Sequence, residues 1–247
     1  LKVNASYNNR WRFESGATLG LLAGFNFSDS YHTLLNMENS LYGPYDVTND
    51  TPVYLRKATD NQYTNDRKLG ALLNLSFLPQ SNMHRFEWKN IYNRIVKNRY
   101  SDRIGFNSQP DNIQDMEYYY TTRNTFNSQF TGRHEFSGAS LLDWSAGYAY
   151  SDRDMPDRRL IQLTDRTDQR MGIYRISREF TRLREHTASL NTNYRQEFSF
   201  REIEPVLKAG LYGEYRYRNY DVREFQYGWQ PDNNLPAGFM FNPDVTG

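Results

Sequence analysis

Cysteine is missing altogether, which excludes disulfides and thiolate metal sites but says little about compartment. Proline is scarce, at nine residues in 247, and with so many aromatics present this argues against disorder. A dominant charge is lacking too. Thirty basic and 29 acidic side chains leave a formal net charge of +1, so no global field selects nucleic acid or an acidic substrate. No apolar run approaches the roughly 18 residues that a membrane helix needs, the best being residues 19–25. The mean hydropathy of −0.88 agrees with that exclusion. It leaves a β-barrel open, because barrel strands turn only alternate residues to lipid. The chain opens at Leu1 on strand-like sequence, without an initiating Met or a signal peptide. The expectation is that processing or truncation has removed the true start.

What the sequence does have is aromatic side chains: 16% of residues, with 20 Tyr and 15 Phe against a hydrophobic fraction of only 38%. A water-soluble core would draw more on Leu, Ile and Val, whereas Tyr suits a surface with an apolar body and a wet tip. These residues are arranged with a period of two, as a strand requires. Within residues 18–27, Leu19, Leu21, Ala23, Phe25 and Phe27 alternate with Thr18, Gly20, Leu22, Gly24 and Asn26. Residues 68–77 repeat the pattern, with Leu69, Ala71, Leu73, Leu75 and Phe77 on one face. So do Leu142, Trp144, Ala146, Tyr148 and Tyr150, and later Leu207, Ala209, Leu211, Tyr215 and Tyr217. Residues 1–13, 85–99, 117–131 and 182–198 fit less cleanly. In 85–99, Phe86, Trp88 and Tyr92 share a face but Ile91 and Ile95 do not, and a bulge would restore the register. The pattern predicts eight strands.

Their connections alternate in kind. Short turns are expected near 14–17, 79–83, 132–139 and 199–204, where Gly, Pro, Ser and Asn gather. Long polar segments at 28–65, 101–116, 151–181 and 219–247 read as loops. Such an alternation predicts tight periplasmic turns and extended extracellular loops of an outer-membrane barrel. Both chain ends then fall on the extracellular side, so four hairpins of a larger barrel are expected, as part of one barrel domain covering residues 1–247. The inward row mixes Gly20, Gly24, Gly70, Gly147 and Gly210 with Glu87, Lys89, Arg123, Asp143, Lys208, Glu214 and Arg216. A wall of this kind faces water or a polar plug. Spreading 247 residues over eight strands gives about 31 per strand. A 22-stranded transporter barrel would then need roughly 680 residues, its plug additional.

Several strand textures carry a family likeness. Leu69-Gly-Ala-Leu-Leu-Asn-Leu-Ser-Phe77, Phe86-Glu-Trp-Lys-Asn-Ile-Tyr-Asn-Arg94, Tyr118-Tyr-Tyr-Thr-Thr-Arg-Asn-Thr-Phe126 and Leu142-Asp-Trp-Ser-Ala-Gly-Tyr-Ala-Tyr150 are four such stretches. Met155-Pro-Asp-Arg-Arg159 and Leu207-Lys-Ala-Gly-Leu-Tyr-Gly-Glu-Tyr215 add to them. Together they resemble barrel strands of TonB-dependent receptors from Bacteroidetes. The resemblance implies an all-β, antiparallel transmembrane barrel of 22 strands, an N-terminal plug and energy supplied through the TonB complex. A plug domain is not contained in the stretches that match.

Four sets of residues bear on chemistry. His84 and His134 lie beside short turns, where a polar residue at a membrane interface is the ordinary explanation; His32 and His186 complete the set. Catalysis would need His with a carboxylate or Ser converging at one rim, and Glu185 beside His186 points to the opposite face, so no enzyme is expected. Asp152, Asp154, Asp157, Asp165 and Asp168 offer oxygen ligands of the kind Ca²⁺ prefers. Arg153, Arg158, Arg159 and Arg166 would oppose a cation, so neither metal nor cofactor is expected. Aromatics in the first and last long segments, Tyr42, Tyr45, Tyr54, Phe225, Tyr227 and Trp229, are the candidates for ligand capture. Trp88, Tyr92, Tyr118, Trp144, Tyr148, Tyr150 and Tyr194 read as interfacial girdles.

The sequence thus points to the barrel wall of an outer-membrane nutrient receptor. Expected partners are outer-membrane lipid, the TonB complex and a surface lipoprotein, with no nucleic acid. A non-transporting structural or adhesive barrel and a soluble sugar-binding β-sandwich are the alternatives.

Overall fold

The computed structural model describes residues 1–107, 112–137, 139–165, 171–201 and 203–228. They form eight strands: β1 (Lys2–Arg12), β2 (Thr18–Asp46), β3 (Thr51–Leu78), β4 (His84–Asn107), β5 (Asn112–Ser137), β6 (Ser140–Asp165), β7 (Met171–Glu197) and β8 (Val206–Gly228). Each pairs antiparallel with the next, in one sheet ordered β1 to β8. Among the described residues β1 and β8 do not pair with each other, so the sheet is open.

The alternation read from the sequence becomes two faces, because paired residues share a side of the ladder. One hydrogen-bonded row runs Trp11, Leu19, Phe77, Phe86, Gly132, Trp144, Thr192, Leu211. The adjacent row runs Arg10, Gly20, Ser76, Glu87, Thr131, Ser145, Asn191, Tyr212. Apolar residues therefore line one side near the short turns, and polar ones line the other. All seven expected girdle aromatics fall on the apolar face. Trp144 covers Gly132 there: a Cβ on Gly132 would meet Trp144 Nε1 at 2.4 Å.

A core is not what holds this sheet. The only buried apolar side chains among the described residues are Ala58, Ile113 and Met155, and no large side chain is fully buried. The apolar face instead leaves Leu73, Trp88, Phe130, Leu190 and Leu211 exposed. The apolar band is about nine residues deep, as at 19–27 of β2 and 69–77 of β3. Beyond it the same face turns polar, with Asp29 paired to Arg67 at 3.3 Å. The ladder continues without interruption through the band.

Two expectations are corrected, besides the turn expected near 132–139, of which residues 132–137 belong to strand β5. The long polar segments are not loops: β2 and β3 pair from Thr18 and Leu78 out to Asp46 and Thr51, joined by residues 47–50. Residues 101–107, 112–116, 151–165, 171–181 and 219–228 are likewise strand. The remainder of 219–247 lies outside the described residues. Alternation of apolar residues stops where the band stops, yet backbone pairing does not depend on it. Tyr, Thr and Arg side chains along these stretches suit a pleated surface wetted on both sides. The second correction concerns 85–99. β4 pairs with both neighbours without a register shift, so Ile91 and Ile95 simply stand on the polar face. Bulges occur instead beyond the band, at Leu34/Met37, Leu41/Tyr42, Tyr42/Tyr45, Tyr118/Thr122, Met155/Arg158 and Gln162/Leu163, and near a short turn at Glu135/Ser137. Asn36 takes φ 57° in the first of these, its amide donating to Asn61 Oδ1 at 2.9 Å.

Close packing inside the ladder is most severe at Gly105. A Cβ there would lie 2.3 Å from the Lys57 carbonyl oxygen and 2.4 Å from Ala58 Cα, both backbone atoms that cannot swing away. Gly213 on β8 has nothing within 4 Å of the same position. Gly105→Ala should therefore destabilise the sheet by roughly 1–3 kcal/mol, while Gly213→Ala should be neutral or slightly stabilising. Urea unfolding of the two variants decides it, and equal midpoints would contradict the close approach of β3 and β4.

Candidate functional site

The aromatic candidates sit on strands, not on loops. Tyr42 and Tyr54 are paired across β2 and β3, their ring centroids 4.8 Å apart. Lys57 Nζ stands 5.0 Å from the Tyr54 centroid, a cation–π contact. The turn closing this hairpin is fixed by Asp46, whose carboxylate accepts from Thr48 N at 3.0 Å, Asn49 N at 3.2 Å and Asn49 Nδ2 at 2.7 Å. Those bonds, the Asn49 side chain first, hold Asp46 below its ordinary carboxylate range. Tyr45 donates to Asp50 Oδ1 at 2.5 Å, and that bond pushes its phenol pKa up. Tyr42 and Tyr45 nevertheless remain 56% and 55% exposed, so two aromatic faces are offered to the surroundings.

Phe225 and Tyr227 lie on β8, opposite Arg178 and Ile176 of β7. Their register places them on the apolar-band face with Tyr215 and Tyr217. Phe225 meets Phe180 edge-on at 5.9 Å, and the Arg178 and Arg223 guanidiniums lie 5.5 and 5.9 Å from the Phe180 ring. Trp229 lies outside the described residues. The two groups do not converge. β4 to β7 intervene between Tyr54 on β3 and Phe225 on β8, a separation of roughly 24 Å across the strands.

A charged network that sequence reading missed occupies the polar face beyond the band. Arg103 of β4 grips Asp60 of β3 with both ends of its fork, Nε to Oδ1 at 2.7 Å and Nη2 to Oδ2 at 2.8 Å, while Asn39 Nδ2 donates to Asp60 Oδ2 at 2.9 Å. This two-point grip, and then the Asn39 bond, pulls Asp60 below its usual range despite partial burial. Glu117 of β5 accepts from Arg99 at 2.5 Å and from Arg158 at 2.7 Å, and Arg158 also reaches Glu179 at 3.0 Å. Burial pushes Glu117 up, but the Arg158 bond and the charges of Arg99 and Arg158 outweigh it and leave the group below its ordinary value. A signal for these pairs was present. In the β4–β5 pairing Arg103 falls opposite Asp115 and Ser101 opposite Glu117, so Glu117 comes within two residues of the position opposite Arg99.

The histidines make local cross-strand contacts. His84 and His134 are cross-strand partners with Nδ1 atoms 3.0 Å apart, and Trp144 Nε1 donates to His134 Nε2 at 2.9 Å. His134 therefore carries its proton on Nδ1 and donates to His84. No carboxylate or Ser hydroxyl bonds either ring among the described residues. His186 meets the Tyr148 hydroxyl at 2.8 Å, whereas neighbouring Glu185 turns to the polar face and pairs with Arg218 at 2.5 Å. Among the acidic residues considered for Ca²⁺, Asp152 accepts from Asn124 at 3.0 Å, and Asp157 is held by Arg159 at 2.5 Å and Arg178 at 3.0 Å. The Asp165 side chain and Asp168 lie outside what is described. No group of three metal-ligating side chains converges among the described residues.

Compared with known proteins, the chain matches no family model and no curated sequence.

The Asp60 grip has a pH signature. Its folded pKa lies below the ordinary value of about 3.9, so its stabilisation is complete above that value and is lost as pH falls through the lower folded one. Amide exchange in residues 56–62 and 101–107 should accelerate in that acid window, and Asp60→Asn should flatten the dependence. Unchanged acid sensitivity in Asp60→Asn would remove this pair from the account.

Proposed function

We propose that this sheet is part of the wall of an outer-membrane β-barrel, and that the parent protein is a TonB-dependent receptor-type importer of a nutrient. One observation carries the reading. An apolar band about nine residues deep on β2, β3 and β6 continues on one face of all eight strands, broken by Asn9, Asn90 and Ser128 and shallower on β4 and β5. It matches the roughly 9–11 residues a tilted strand uses to cross hydrocarbon. The register shifts fall outside that band, where water can satisfy interrupted backbone groups; in hydrocarbon it cannot. Unpaired edges at β1 and β8 would be costly there for the same reason, which favours further strands on both sides.

The opposite face supports a water-filled or plugged lumen, since Glu87, Lys89, Arg123, Glu185 and Arg216 would be unaffordable in a dry interior. Beyond the band the strands run on; β2 alone extends on the order of 60 Å further. In this reading the projecting ladder forms the extracellular mouth, and Tyr42 and Tyr45 at its tip contribute to ligand capture. The TonB complex would act through a plug of the parent protein, and a surface lipoprotein is the expected partner at the mouth. The strand textures that resemble Bacteroidetes receptors support importer over structural barrel.

Three measurements test this. Leu73→Arg should weaken insertion into lipid vesicles by roughly 2–4 kcal/mol and Asn74→Arg far less, read by the gel-mobility shift of folded barrel. Equal effects would overturn the facing. In cells, the parent protein should fractionate with the outer membrane and need detergent, and ligand uptake should stop without TonB. Recovery in the aqueous fraction would favour the soluble sandwich, and TonB-independent behaviour the structural or adhesive barrel.

A further inference from the structure

Just beyond the band, the polar face holds more positive charge than it neutralises. A shallow cavity of about 360 Å³ is lined by Lys97, Arg99, Arg123 and Arg158, with Glu117 and Tyr119 among them. Four cations thus face one carboxylate. Glu117 is already engaged on both oxygens by Arg99 and Arg158, and the latter shares itself with Glu179. Lys97 and Arg123 close no ion pair among the described residues, although Asp66 stands opposite Lys97 in register.

Register concentrates the excess. Arg123 of β5 lies directly opposite Arg153 of β6, and like charges so placed disfavour the ladder unless something bridges them. Arg153 Nη2 donates to the Tyr119 hydroxyl at 3.3 Å, and Arg99 lies over the Tyr119 ring at 5.0 Å, so the wall is held in place by one phenol. The Nε atoms of both Arg99 and Arg153 are buried without a hydrogen-bond partner. Their charge is therefore left partly uncompensated within the wall, which adds to the excess.

We propose that this cavity binds a small oxyanion, a carboxylate or phosphate group carried by a solute. Arg123 supplies a forked donor matched to paired oxygens, Lys97 adds a point charge, and Arg153, across the ladder from Arg123 and outside the lining itself, adds to the positive field. The inference rests on the reading above only in needing the polar face to be open to water.

Titration calorimetry on the full-length protein in detergent micelles at low salt tests it, with citrate and inorganic phosphate as separate probes. At least one should bind, and the one that does identifies the oxyanion class. Joint Arg123→Gln and Arg153→Gln substitution should weaken binding by about tenfold or more. Glu117→Gln should tighten it several-fold, because it removes the competing carboxylate and releases Arg99 and Arg158; a gain of this kind cannot come from misfolding. No binding of either anion at millimolar concentration, or equal affinity in wild type and the double variant, would overturn the site. Anion binding by a protein that needs no detergent would sink the membrane reading and leave the site standing.

Discussion

Every side chain in this sheet takes its surroundings from strand register, because a ladder with a period of two exchanges its faces if it slips by one residue. Seven consecutive antiparallel pairings hold Leu19, Phe77, Phe86 and Trp144 in one row and Gly20, Ser76, Glu87 and Ser145 in the next. With almost no buried apolar side chain available, that ladder is what defines the structure. The environment on each side does the rest.

Register also explains why the two ends of the strands differ. Near the short turns the two faces have opposite polarity, and the pairing is unbroken through the apolar band. Beyond it both faces are wetted. There the ladder is tied by cross-strand charges such as Asp60 with Arg103 and Glu117 with Arg99 and Arg158, and bulges gather. Bulges add twist and bend to a pleated ribbon. In the proposed barrel, a charged, bulged ribbon projecting beyond the band would be freer to change shape than the part in hydrocarbon.

Charge on the polar face is arranged in two manners. Where carboxylates are present, arginines are shared between them, as Arg158 is between Glu117 and Glu179. Where they are not, as at Arg123 and Arg153, the same pleat stacks like charges. The aromatic residues divide similarly: Trp144, His134 and His84 form a hydrogen-bonded chain near the turns, while Tyr42 and Tyr45 stand exposed at the far tip.

By itself the sequence determined the strand count, three of the four short turns and which residues share a face within the band, because a two-residue period is a local property of the backbone; the turn expected near 132–139 is strand over 132–137. It placed Leu69, Leu73 and Phe77 against Gly70, Asn74 and Ser76 without knowing any partner strand. Only the tertiary structure decided that segments such as 28–65 are paired strand, since hydrogen-bonded pairing leaves no trace in side-chain polarity once water lies on both sides. It alone brought Arg103 to Asp60, His84 to His134 and Arg123 to Arg153, contacts set by which residue lies across the ladder. Tyr42 and Phe225 looked alike in sequence as aromatics of long polar segments. The sheet separates them by five strands, β3 to β7, and gives Phe225 to the apolar-band face, because position across a sheet accumulates over pairings that no local window contains.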